Sequence, residues 1–240
     1  MRKENDVHNW IEQTGGPDAA AVMVAPAIRA LFGNGRPAFV KYNESCSENA
    51  DISIKTAGFS NLETVYQHLA GAAGHAVKPV RLIEIEGLGF FQISEPIAKR
   101  GSRLDGRVCL VTGAAQGFGE GIARELAKAG GVLVIADLNF ELARNVAESI
   151  CVDHGPESAV AVAVDVGDEA SVQLLIESAT RIFGGLDLIV SNAGVLRAGG
   201  LEEMTLRTFD FVTRINYTAF FLVTKYGSRP MKIQARFDPG

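Results

Sequence analysis

The chain has 240 residues, 47% hydrophobic and 21% charged, a profile that argues against disorder and suffices for one large or two small globular domains. Its formal net charge of -5 offers no basic stripe to neutralise a phosphate backbone, so no nucleic acid is expected as a partner. The longest apolar run, residues 19–28, is too short to span a bilayer and contains Pro26, and the amino terminus lacks a signal-peptide stretch; no membrane partner and a cytoplasmic location are expected.

In the first hundred residues, 20–32 read as a helix despite Pro26, 38–42 as a short strand, and 62–73 as a helix with Leu62, Val65, Tyr66 and Leu69 on one face. Residues 81–86 and 90–93, parted by Gly87-Leu88-Gly89, read as a hairpin. These elements make a small α+β domain over residues 1–98, with a core thin enough to be marginally stable alone. The polar stretch 94–105, with Pro96 and Gly101, reads as a linker.

From Arg103 onward, short apolar strands alternate with amphipathic helices, the pattern of a parallel sheet with helices on its faces. Strands are predicted at 108–112, 132–136, 159–164 and 186–191. A helix over 119–129 follows the first strand. A second begins near Phe140 behind an Asn139 cap, with Leu142, Val146 and Ile150 on one stripe. The third places Val172, Leu175, Ile176, Ala179 and Phe183 on one face, and the fourth runs over about residues 208–226. Pro230 is expected to end it, leaving 232–240 with at most one short strand.

Cys46, Cys109 and Cys151 are an odd, unclustered set, two of them in apolar strand or helix patterns, and read as buried reduced thiols. His8, His68, His75 and His154 do not fall at metal-ligand spacing with any cysteine or carboxylate. His68 and His75 suit a solvated or hydrogen-bonded pair on one helix face, and no metal is predicted.

The first of these strands runs straight into Thr112-Gly113-Ala114-Ala115-Gln116-Gly117-Phe118-Gly119, a glycine-punctuated turn that opens a helix. Gly113 lets the chain turn sharply, Gly117 lets backbone N–H groups approach phosphates, and Gly119 lets the helix pack close to the sheet. The turn is built for the pyrophosphate of a dinucleotide cofactor. Asp137 closes the second strand eighteen residues after Gly119. It either accepts hydrogen bonds from the adenosine ribose or caps the next helix, and its strand-end position favours the ribose. Its charge repels a 2′-phosphate, Leu138 and Asn139 follow it, and Gln116 rather than a basic residue sits in the glycine turn. NAD is therefore expected over NADP.

Three spaced glycines carry little weight in a chain with 26 of them. In order, however, Thr112-Gly113-x-x-x-Gly117-x-Gly119, Asp137, Asp165-Val166, Asn192-Ala193-Gly194 and Asn216 resemble the short-chain dehydrogenase/reductase family over about residues 103–229. The resemblance implies an α/β fold over residues 103–240, a Rossmann-type doubly wound parallel sheet, incomplete at its carboxyl end, beside the small amino-terminal domain. It implies NAD as cofactor, bound by Thr112, Gly113, Gln116, Gly117, Phe118, Gly119, Asp137 and Leu138. Asp165 and Val166 would hold the adenine, the carboxylate taking the exocyclic amine, although Asp165 also suits a cap of the following helix. Asn192 would tie the fourth strand to its neighbours while Ala193 and Gly194 leave room for the cofactor ribose; a plain turn is the competing reading. Asn216 falls mid-helix, where an amide usually points to water. It matches the family asparagine that orders a proton-relay water, and is the one candidate catalytic residue.

The family's chemistry uses a tyrosine with a lysine four residues later, helped by a serine on the preceding strand. Four residues beyond Tyr42, Tyr66, Tyr217 and Tyr226 stand Cys46, Ala70, Phe221 and Pro230, so no such pair exists here. The chain is accordingly expected to be the amino-terminal part of a longer NAD-dependent oxidoreductase acting on a small hydroxyl or carbonyl substrate. By itself it is expected to bind NAD without turnover. The alternative is a non-catalytic NAD-binding module that regulates the amino-terminal domain or a partner. With Ala219, Phe220 and Leu222 short of partners and one strand edge unpaired, poor solubility is expected.

An extension ahead of such a module is loosely similar in layout to fusions of a zinc-dependent sugar-phosphate aldolase with a short-chain dehydrogenase. No histidine cluster for zinc occurs in residues 1–100, so any such domain here would be metal-free. The likeness tilts the expected substrate towards polyols, sugar acids or sugar phosphates, and the role towards carbohydrate metabolism. By family likeness the Asn216 helix joins a four-helix contact in a homo-oligomer. Phe209, Phe211, Phe220 and Phe221 serve either that contact or the core.

Overall fold

A computed structural model describes residues 5–33, 38–56, 59, 61–76, 79–95 and 102–238. The chain divides into two units, one of Met1–Pro96 with Ala179–Gly185 and Pro230–Gly240, the other of Ile97–Ser178 with Leu186–Arg229. Part of the expected linker, residues 96–101, lies outside the described residues.

The first unit contains α1 (Asn5–Thr14), α2 (Pro17–Phe32), β1 (Phe39–Asn43), β2 (Ile52–Ile54), α3 (Leu62–His75), β3 (Leu82–Ile85) and β4 (Gly89–Ser94). Its sheet has the order β1-β4-β3-β2. The expected hairpin is present as antiparallel β3 and β4, with Ile83 opposite Phe91, and the unforeseen β2 lies parallel to β3. Ile28, Phe59, Leu69, Ile83, Ile85 and Phe91 are fully buried at its centre. Pro26 sits inside α2, buried beside Ala25 and Ala27. The packing of this apolar helix outweighs the backbone bond the proline removes. Asn61 and Thr64 form a reciprocal cap at the start of α3. On that helix, His68 Nδ1 and His75 Nδ1 each pair with a backbone carbonyl one turn earlier.

The second unit contains β5 (Val108–Thr112), α4 (Gly117–Lys128), β6 (Val132–Asp137), α5 (Phe140–His154), β7 (Ala159–Ala163), most of α6 (Glu169–Phe183), β8 (Leu188–Val190), α7 (Leu206–Thr213), a π-helical turn (Arg214–Thr218) and most of α8 (Ala219–Phe237). Its sheet is parallel throughout, in the order β7-β6-β5-β8. Strand alternation decides which helices cover which face. Cys109, Val111, Leu133, Ile135, Leu188 and Val190 pack with Ala123 and Ala127 of α4 and Ala143 and Val146 of α5. Ile189, between Leu188 and Val190, turns the other way, against α8, where a Cβ on Gly227 would run into its Cδ1 and stand 3.7 Å from Ile176 of α6. Helices thus cover both faces, and this unit is the doubly wound α/β sheet expected. Sequence order reverses between β5 and β8, and at their carboxyl ends such a sheet opens a crevice.

Four expectations are corrected. The helix expected over 208–226 begins at Leu206, widens into the π turn and continues to Phe237, through Pro230, so that helix occupies most of the stretch where a short strand was expected. A proline inside a helix costs about 3 kcal/mol, yet the last turns belong to the first unit, where Ile233 and Phe237 pack against the core and the Phe237 and Tyr66 rings lie 5.0 Å apart. Arg236 adds an ion pair to Glu63 at 2.6 Å. Second, of Ala219, Phe220 and Leu222 only Phe220 lacks cover, at 60% exposed against 2% and 6% for the others. Third, Phe209 and Phe221 are 55% and 58% exposed, so neither serves the core of this chain. Fourth, the three cysteines are free thiols, but the expectation that they are buried holds for Cys109 and is corrected for Cys46 and Cys151, which are half-buried; loss of solvent pushes the Cys109 thiol up to about 12. No described helix is long and apolar enough to cross a membrane.

Candidate functional site

β5 ends at Thr112 and the chain leaves it through Gly113 at φ +65°. A Cβ on Gly113 would lie 2.8 Å from Cα of Ala193, so only glycine permits both the turn and the approach of the loop after β8. Gly117 also holds positive φ, +61°, and the space its Cβ would enter is empty for 4 Å. At Gly119 a side chain would collide with the carbonyl oxygen of Gly113 and come within 2.6 Å of Nδ2 of Asn192, which brings the start of α4 down onto the strand end. Gln116, the residue ahead of α4, is extended and makes no side-chain cap. The positive end of that helix is therefore left for an incoming acceptor.

Asn192 closes the other side. Its Nδ2 donates to the carbonyls of Thr112 at 3.0 Å and Gly113 at 3.2 Å, and the backbone N–H groups of Asn192 and Ala193 donate to Thr112 Oγ1 at 3.1 and 3.2 Å. Thr112 is fully buried and spends its hydroxyl on this tie. Asn192 therefore does more than make a turn: it locks the ends of β5 and β8 together.

Asp137 stands at the end of β6 with its carboxylate fixed at two points, Oδ2 accepting from Ala115 N at 3.0 Å and Oδ1 from Asn139 N at 2.9 Å. It does not cap α5. Asn139 does that, through Leu142 N at 3.2 Å. Asp165 is likewise no cap, because Asp168 Oδ2 takes Ser171 N at the start of α6 while Asp165 Oδ1 accepts from Gly167 N at 2.8 Å.

These elements enclose a cleft of about 550 Å³. Of the residues singled out in the sequence, Gly113, Gln116, Phe118, Gly119, Asp137, Leu138, Asp165, Val166, Asn192, Ala193 and Gly194 line it. Thr112 and Gly117 are not among the lining residues. Phe118 and Leu138 are 90% and 76% exposed, two apolar side chains facing the open cleft with nothing laid over them. Asn216 is on the π turn, where it holds Val195 at the cleft edge.

Val164, Val195, Phe211, Arg214 and Ile215 also line the cleft and were not foreseen. The last three come from α7 and the π turn, and no spacing in the sequence marks a π turn. Among the described residues no group of three or more His, Cys, Asp or Glu side chains is placed to hold a metal ion.

Comparison with known proteins agrees with this geometry. The family model for short chain dehydrogenase matches residues 107–237, more than half of the chain. The chain is 42% identical over 132 residues to (+)-cis,cis-nepetalactol synthase NEPS3 of Nepeta racemosa, covering 54% of this chain and 47% of that protein. It is 40% identical over 121 residues to D-threitol dehydrogenase of Mycolicibacterium smegmatis, covering 50% and 46%. Among solved structures, sorbitol-6-phosphate 2-dehydrogenase SrlD from Erwinia amylovora matches with a TM-score of 0.50 and 34% identity, covering 51% of this chain and 48% of that one. The chain spans about half the length of these relatives.

Proposed function

This chain belongs to the short-chain dehydrogenase family, and from that premise we infer that its cleft binds NAD as the cofactor-binding portion of an oxidoreductase. The residues present fit a dinucleotide. The space beside Gly117 is empty, the start of α4 is uncapped by any side chain, and a carboxylate stands fixed at the end of β6. Backbone N–H groups at the start of α4 receive the pyrophosphate, and Asp137 takes the adenosine ribose hydroxyls through lone pairs left after its bonds to Ala115 and Asn139. Phe118 and Leu138 gain the cover they now lack. Asp165 takes the exocyclic amine of the adenine, and Val166, Ala193 and Gly194 shape the walls.

The fixed charge of Asp137 is the observation that carries the preference for NAD. A 2′-phosphate would be brought against an anion held by two backbone donors, with no basic side chain at Gln116, Leu138 or Asn139 to compensate. When bound, the nicotinamide supplies hydride transfer. This chain positions it; the sequence contains no Tyr-x-x-x-Lys pair to move the accompanying proton. We therefore read the chain alone as binding without turnover, and the whole protein as acting on a hydroxyl or carbonyl substrate of the polyol, sugar acid or sugar phosphate class. D-threitol dehydrogenase and sorbitol-6-phosphate 2-dehydrogenase support that class by their names and by their similarity over the matched half. Residues 1–98 are taken as a separate small domain.

Titration calorimetry with NAD and NADP tests the reading. Heat with NAD and at least about tenfold weaker binding of NADP, the factor that 1.4 kcal/mol of charge repulsion makes, is the expected result. No heat with either nucleotide overturns it.

A further inference from the structure

Among the described residues that line the cleft, Arg214 is the only cation. It opens the π turn, a widening of a helix that recurs at functional sites. The position of a Gly167 Cβ would lie 3.0 Å from Arg214 Nε, 2.9 Å from Ile215 Cδ1 and 3.2 Å from Asp165 Oδ1. The guanidinium and the carboxylate therefore both close on Gly167, at a point where any side chain would crowd them. They do not pair: Asp165 Oδ1 is taken by Gly167 N, and among the described residues the Arg214 guanidinium has no hydrogen bond or ion pair. Arg197, outside the lining, is engaged over the Phe211 ring at 5.5 Å. Among the described residues Arg214 has no ring contact of its own.

An exposed guanidinium without partners, planar and weakly hydrated, is suited to lie against an aromatic face. The face available beside Asp165 is the nucleobase of the dinucleotide. We propose that Arg214 is a binding residue for the adenine ring, laying its guanidinium on the ring while Asp165 takes the exocyclic amine, with Gly167 keeping the space that Arg214 needs. The proposal rests on the cleft being the dinucleotide site and adds the group that grips the base.

Calorimetry on the full chain with ADP tests it, because ADP carries the adenine and the diphosphate without the nicotinamide. Arg214→Ala is expected to weaken ADP about tenfold, within the range of a partly desolvated cation–π contact. Arg214→Lys, which keeps the charge and loses the planar fork, is expected to show most of the same loss. Gly167→Ala, which crowds Arg214 and leaves its charge in place, is expected to shift ADP in the same direction. Thermal melts of the arginine variants should match the wild type, since the side chain is exposed. Unchanged ADP affinity in Arg214→Ala overturns the proposal and leaves the NAD reading standing, and so does full retention of affinity in Arg214→Lys, which would mean that charge alone acts. A wild-type chain that binds neither ADP nor NAD overturns both.

Discussion

Asn216 grips Val195 by both of its backbone polar atoms: Oδ1 accepts from Val195 N and Nδ2 donates to Val195 O, each at 2.8 Å. One amide thus pins the loop after β8 to the π turn. Asn216→Asp keeps the acceptor and sets an oxygen against the Val195 carbonyl in place of the donor. A loss of about 1–2 kcal/mol is expected, measured by urea denaturation, together with faster hydrogen exchange at the Val195 amide. A denaturation midpoint equal to that of the wild type would show that the pin contributes nothing.

Glycines 119 and 121 are two residues apart on α4, and opposite outcomes are expected for the same substitution. A Cβ on Gly119 meets the Gly113 carbonyl and the Asn192 amide, so Gly119→Ala must push the helix off the strand end, at about 1–3 kcal/mol. Nothing lies within 4 Å of a Cβ on Gly121, which has ordinary helical backbone, and Gly121→Ala should stabilise by about 0.5–1 kcal/mol. Thermal unfolding of both variants checks the pair. Equal effects would mean that α4 does not sit as close to β5 as described.

The difference between what was legible in the sequence and what was not follows from the range of the forces involved. The glycine turn could be read because each glycine answers a local demand, a positive φ at 113 and 117 and a collision at 119. β5 and β6 were legible because strands buried on both faces are apolar at every position up to the polar residue that closes each, Thr112 and Asp137. Asn139 was legible as a cap because it bonds within its own turn. Arg214 and Val195 were not, because they reach the cleft through a widened helix turn and a loop held by a residue 21 positions away. Pro230 misled for the same reason. Its local cost is real, but contacts with Tyr66 and Glu63, far back in the chain, decide the outcome.

Asp137 is held in place by Ala115 N and Asn139 N, so its charge rather than its mobility sets the discrimination expected at the ribose. Asp137→Asn removes that charge and leaves a side chain of the same size. NAD should bind more weakly, NADP should gain, and the ratio of the two affinities should shrink by about tenfold, the effect of 1.4 kcal/mol. Parallel titrations with both nucleotides measure it. An unchanged ratio would remove Asp137 from the explanation of cofactor preference.

Glu169, the first residue of α6, joins that helix to α8: its Oε1 accepts from Lys225 Nζ at 2.7 Å and from Tyr226 Oη at 2.8 Å. The Lys225 hydrogen bond first, and that of Tyr226 second, hold its carboxyl below the ordinary value of 4.5. A carboxylate whose folded pKa is depressed stabilises the fold above its unfolded value, and that contribution disappears as pH falls through the lower folded one. The same pair raises Lys225 above its ordinary range, so the lysine stays charged throughout neutral and acid conditions. Glu169→Gln is therefore expected to be less stable than the wild type at neutral pH and to converge on it as the pH is lowered through and below the carboxylate range. Urea midpoints of both proteins, taken stepwise down that range, give the answer. A gap that stays constant with pH would mean that the hydrogen-bonding shape of the residue, and not its charge, holds α6 to α8.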